Sequence, residues 1–199
     1  MKRISLQRLV VLTGMGLLLL VSCGPPRMSL EELAVQKPDF VVVRADSLIR
    51  ANKDQPEAPA LIAKAFVSVA DSIVKSDPRS DKALLLYNRA HSLDPKNPDA
   101  EYGAYLIKGR RFYKKGGKDD IWDGIEAFAK AAQYHPDSGI PVLWMARSYY
   151  KEDHQDFEMI IETYNKALNL TLPDDLQTAA NKELADVLKQ KKILDDFWK

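Results

Sequence analysis

The side chains able to do chemistry are few and widely spaced. His91, His135 and His154 lie too far apart in sequence to form a local metal signature such as H-E-x-x-H. His91 and His135 instead fall near the expected ends of helices, where a cation complements the helix dipole. Gly117-Lys118 is followed by Asp119, and the residue five before Gly117 is Phe112, so no phosphate-cradling loop is spelled out. No G-x-S-x-G elbow occurs, and Asp119, Asp120 and Asp123 lack the spacing of a calcium loop. With no nucleophile, base or metal set, the expectation is a protein that is not an enzyme and uses no cofactor.

One conspicuous patch remains. KGRRFYKKGGK, residues 108–118, holds six basic residues among eleven, with Phe112 and Tyr113 between them. It could meet anionic headgroups or an acidic partner. The plainer expectation is that cations gather at a helix C-terminus, balanced by Asp119, Asp120 and Asp123 at the next N-terminus and by the acidic turn Glu152, Asp153, Asp156 and Glu158.

The single cysteine, Cys23, stands at the end of an apolar run. Lys2, Arg3 and Arg8 precede Leu9 to Val21, and Ser22 then adjoins Cys23, which is a secretory layout. Thirteen residues are too few for a spanning helix, which needs about 20. Leu20-Val21-Ser22-Cys23 resembles a bacterial lipobox. The resemblance implies cleavage between Ser22 and Cys23, a diacylglycerol thioether on Cys23 and usually a third acyl chain, giving a lasting membrane anchor because a single chain holds only marginally. Gly24 rather than Asp resembles the outer-membrane-sorted class, facing the periplasm. Pro25 and Pro26 favour a stiff tether.

Removal of residues 1–22 leaves 177 residues, with 28 acidic side chains against 26 of the original 29 basic ones, a formal charge of −2. That near-neutrality argues against nucleic acid as a partner. With Cys23 acylated, neither a disulfide nor thiol catalysis is available.

The elements that must position the rest are helical. Ile62, Phe66, Val69 and Ile73 share one helical face, as do Leu176, Ala180, Leu184, Val187, Leu194 and Trp198. Breakers recur at Pro38, 54–59, 77–80, 95–98, Gly116-Gly117, 136–139 and 173–175. About nine helices are expected, the first opened by the capping box Ser29-Leu30-Glu31-Glu32.

Three segments align without gaps, 81–100, 123–140 and 158–173. Each sets an aromatic (Tyr87, Phe128, Tyr164) three residues before an alanine (Ala90, Ala131, Ala167), and Pro95, Pro136 and Pro173 follow. Ala83 and Gly124 stand four before the first two aromatics, while Ile160 takes that place in the third. This is similar to the second helix of the tetratricopeptide repeat. Val142, Met145, Ala146 and Tyr149 match the first-helix positions.

The aromatics are 41 and 36 residues apart, where the family period is 34. Extra residues are therefore expected in the turns within repeats, most visibly at 114–120. The organisation expected is a signal at 1–22, a lipidated tether and short helix at 23–38, a capping helix and loop at 39–59, divergent repeats at 60–97, 98–138 and 139–173, and a closing helix at 174–199. The fold class implied is an all-α solenoid.

The resemblance further implies a concave face, lined by first helices, that grips an extended peptide or partner helix. On it Tyr102, Arg110, Leu143, Arg147 and Tyr150 are the expected contacts. The function implied is a membrane-tethered periplasmic scaffold for a protein or peptide partner. The alternative is a solute-handling accessory similar to the T-component of TRAP transporters, suggested by the ending ANKELADVLKQKKILDDFW and requiring an apolar cavity.

Overall fold

The computed structural model describes residues 28–198, which form ten helices with no β-strand among them. The signal sequence, the cleavage site and Cys23 lie outside the described residues. Three short helices come first: α1 (Leu30–Gln36), α2 (Pro38–Val43) and α3 (Ala45–Ala51). Seven longer ones follow: α4 (Ala58–Ser76), α5 (Asp81–Leu93), α6 (Pro98–Lys115), α7 (Lys118–Tyr134), α8 (Gly139–Glu152), α9 (Phe157–Leu168) and α10 (Asp174–Phe197).

The capping box at Ser29 forms as expected. The Glu32 N–H donates to Ser29 Oγ at 3.1 Å, and the Ser29 N–H donates to Glu32 Oε2 at 2.7 Å. The single capping helix expected within 39–59 is instead two, interrupted at Arg44 with φ −106° and ψ 10°. Val41 to Val43 are β-branched and lose side-chain freedom in a helix, so a break there sacrifices little. It seats both Val41 and Ala45 in the core around α4.

One connection geometry recurs between α4 and α5, α5 and α6, α7 and α8, and α8 and α9. Each first helix ends on an extended residue: Asp77, Asp94, His135 and Asp153, with φ −134°, −139°, −131° and −144°. Three residues later, Ser80, Asn97, Ser138 or Asp156 caps the next helix with its side-chain oxygen. The N–H of that cap donates to the carbonyl of the extended residue at 3.1, 3.0, 3.1 and 3.4 Å respectively. Where the extended residue is aspartate, its Oδ1 also accepts the N–H two residues on, from Arg79, Lys96 or Gln155.

The expected long turn at 114–120 is not there: α6 and α7 are joined by Gly116-Gly117 alone. Gly116 adopts φ 79°, the left-handed stop that glycine takes without penalty. Lys114 and Lys115 complement the end of α6, and Asp119 and Asp120 the start of α7. The longer spacing is therefore helix, not loop: α6 and α7 run 18 and 17 residues, against 14 and 12 for α8 and α9.

Contacts follow chain order. From α5 onward every helix packs chiefly on its predecessor and successor, with only slight contact between α4 and α6 or α6 and α8, while α4 packs on α1 and α2 as well as on α5. The core is correspondingly divided into three clusters, in α1 to α6, around Leu106 and Phe128, and in α8 to α10. Ala83, Tyr87, Ala90, Gly124, Phe128, Ala131, Ala146, Tyr164 and Ala167 are all buried, Met145 and Tyr149 half-buried, while Pro95 and Pro136 sit exposed in connections. Gly109 matters to this packing, because a Cβ there would lie 2.5 Å from the Phe128 ring. Gly103 likewise lets the Tyr87 ring lie against α6. At the edge, the 138 and 171 backbones form one isolated parallel bridge, with the Gly139 N–H donating to Thr171 O at 2.8 Å.

Candidate functional site

Two surface cavities adjoin and share Tyr113. The first, of about 550 Å³, is walled by Tyr113, Arg147, Tyr150 and Tyr164 and by Glu183, Asp186, Val187, Lys189, Gln190 and Ile193 of α10. The second, of about 470 Å³, is walled by Pro78, Arg79, Arg110, Tyr113, Lys114, Trp144 and Lys151. Their walls come from α6, α8, α9 and α10 and from the connection after α4.

Helical spacing places these side chains. Arg110 and Tyr113 are one turn apart on α6, and Trp144, Arg147 and Tyr150 follow at the same interval on α8. The Trp144 ring is the hinge of the arrangement. It stacks on Phe128 at 5.9 Å and meets Tyr113 edge-on at 5.2 Å. The Arg110 and Arg147 guanidinium carbons lie 5.5 and 5.0 Å from its centroid, within cation–π range.

The two arginines differ in their partners. Arg147 binds Glu183 with both branches, Nε to Oε2 at 2.9 Å and Nη2 to Oε1 at 2.8 Å, and Tyr164 donates to the same carboxylate at 3.0 Å. Burial disfavours the charge on Arg147, but the bonds and charge of Glu183 outweigh it and raise its pKa. Arg110 has no hydrogen bond or ion pair among the described residues, and its Nε is buried without a partner. Burial lowers its pKa, partly offset by the Tyr102 and Tyr87 phenols. Tyr150 and Gln190 bond each other at 3.1 Å, further tying α8 to α10.

Of the residues expected on a contact face, Arg147 and Tyr150 line the first cavity and Arg110 the second. Leu143 must be corrected: it is 0% exposed and packs with Ile160 and Tyr164 in the α8 to α10 core. It lies one residue from Trp144, and so faces away from the cavity that Trp144 lines. Tyr102 lines neither cavity. Its hydroxyl lies 2.8 Å from Ser138 Oγ and its ring meets His135 edge-on at 4.5 Å. Trp144 and Glu183 went unrecognised, whereas Tyr113 was noted only within the basic segment and Tyr164 only as a repeat aromatic. The i, i+3 pairing of arginine with aromatics on α6 and α8 was the available signal; nothing local points to Glu183.

Most of the basic segment is accounted for by pairing. Lys108 lies over Tyr105 at 4.6 Å, Arg111 pairs with Asp81 at 2.7 Å, Lys115 with Asp120 at 3.2 Å and Lys118 with Glu152 at 3.4 Å. His91 and His135 sit at helix ends: His91 Nδ1 lies 3.0 Å from Glu101 Oε1, and His135 Nε2 lies 2.9 Å from Asp99 Oδ1. Both are close approaches without hydrogen-bond alignment. Among the described residues, no three His, Cys, Asp or Glu side chains are grouped to hold a metal ion. Nor is any helix among them long and apolar enough to cross a membrane.

Compared with protein-family models and with curated proteins, the chain matches none.

Proposed function

We propose that the chain is a docking scaffold: a tetratricopeptide-like stack held at the bacterial envelope by lipid on Cys23, whose two adjoining cavities receive a segment of a protein partner. The observation that carries this is the combination of chain-order packing with a divided core. A helix stack of that kind leaves one continuous face for contact. Tyrosine, tryptophan and arginine line that face, and these are the residue types on which binding energy concentrates.

The solute-handling alternative calls for an apolar cavity. The larger cavity is instead walled by Arg147, Glu183, Asp186 and Lys189 as much as by its tyrosines and aliphatics, which favours docking. On this reading the protein carries no chemistry of its own.

Site-specific photocrosslinking tests the proposal. A benzophenone side chain placed at Tyr150 or Lys151 in cells is expected to capture the same protein neighbour from both positions. The same probe at Leu85, exposed on α5 and distant in sequence, is expected to capture none. Equal capture from all three positions, or none from any, would end the docking reading.

A further inference from the structure

The second cavity has a composition that protein docking does not require. Four cations, Arg79, Arg110, Lys114 and Lys151, line it with no carboxylate in its wall. Carboxylates pair with Arg111, Lys115 and Lys118, and Lys108 lies over the Tyr105 ring; Arg110 and Lys114 are left over, and both line this space. Arg111 donates to the Arg79 carbonyl at 2.8 and 2.9 Å, so it tethers the connection that carries Arg79. Lys151 donates to the Tyr113 carbonyl at 2.6 Å and lies 4.4 Å from the Tyr113 ring, which holds a further cation at the rim.

A guanidinium with a buried, unpaired Nε is an unfavourable arrangement that calls for a partner. We propose that this cavity is an anion site for a phosphate monoester group, with Arg110 and Lys114 as its principal ligands and Arg79 and Lys151 at its rim.

The choice of phosphate over carboxylate rests on charge and geometry. A carboxylate brings one charge and two oxygens, which one arginine fork satisfies. A phosphate monoester carries about −1.5 to −2 charge at neutral pH and three strong acceptor oxygens. It can therefore take a guanidinium fork and a lysine together. Pro78, Tyr113 and Trp144 supply an apolar wall for whatever the phosphate is attached to. The site stands whether or not the groove docks a protein.

Isothermal titration of the full chain in detergent with inorganic phosphate, at low ionic strength, tests the assignment. Saturable binding is expected, with sodium acetate at equal ionic strength failing to compete. Arg110→Gln and Lys114→Gln are each expected to weaken it roughly tenfold, whereas Arg89→Gln, which breaks a distant pair with Asp46, leaves it unchanged. Lys114 is exposed, so its variant keeps the test open should Arg110→Gln fail to fold.

Dihexanoyl phosphatidic acid and dihexanoyl phosphatidylglycerol separate the sources. Tighter binding of the former than of inorganic phosphate assigns a lipid headgroup; equal binding assigns a soluble phosphate. Equal competition by acetate, or phosphate affinity untouched in Lys114→Gln, overturns the site.

Discussion

Arg147 on α8 and Glu183 on α10 meet in a two-branched ion pair, at 2.8 and 2.9 Å, across 36 residues of sequence. The Arg147 side chain is 16% exposed and that of Glu183 35%. Because Tyr164 donates to the same carboxylate, three helices converge on one acidic group. Glu183→Gln should therefore destabilise the chain by about 1–2 kcal/mol, the partial exposure tempering a hydrogen-bonded charge pair. Thermal unfolding should register a fall of a few degrees. In a double-mutant cycle with Arg147→Met, the two losses should not add; full additivity would show that the pair contributes nothing.

Gly109 sets a second expectation, because two effects of opposite sign compete there. Alanine improves intrinsic helix propensity over glycine by about 1 kcal/mol, whereas its Cβ would enter the Phe128 ring from 2.5 Å. Phe128 is 0% exposed and stacked on Trp144, so it has little room to retreat. Overpacking of this sort costs about 1–3 kcal/mol. The Gly109→Ala variant should thus be less stable in urea unfolding, with its midpoint lowered and its slope unchanged. A raised midpoint would mean that propensity, not packing, decides the position.

These two sites show what local pattern conveys. The aromatic and alanine positions of the three aligned segments were legible because helical spacing alone puts them on the inner face, and they are buried. Gly103 and Gly109 carried a signal that went unread, since glycine inside a helix usually marks close approach. The break at Arg44 was hidden by an unbroken apolar pattern. Leu143 was misplaced because a one-residue error of register on a helix turns a side chain by about 100°, enough to exchange groove for core. The Arg147–Glu183 pair could not be read at all, as only tertiary packing joins α8 to α10. The division of Arg110 from its paired neighbours likewise depends on which acids the fold delivers to them.

Alkaline titration probes the buried phenols. Burial, followed by the hydrogen bond to Asp71, raises the pKa of Tyr87 well above the ordinary phenol range. Burial, followed by the charge of Glu183, does the same for Tyr164. The folded state then holds these protons where the unfolded chain, with phenols near pH 10, releases them. Native binding exceeds unfolded binding, so their contribution is fully present below about pH 10 and is lost as pH rises beyond it. Absorbance at 295 nm should show late phenolate formation coinciding with loss of helix, and Tyr87→Phe should remove part of that late step. Complete ionisation near pH 10 with helix retained would contradict the buried placement.

The divided core makes the sharpest claim about cooperativity. Ile160 is 0% exposed within the α8 to α10 cluster, which shares no member with the cluster spanning α1 to α6. Ile160→Ala should cost about 2–5 kcal/mol through lost contacts and the cavity left behind. In a stack coupled through nearest neighbours, that loss should be felt most strongly by α8, α9 and α10 and weaken with distance. Amide hydrogen exchange should accordingly quicken across those three helices while the interiors of α4 and α5 keep most of their protection. Uniform acceleration through all helices would show a single cooperative unit, and the repeat-stack reading would have to be abandoned along with the contact face built on it.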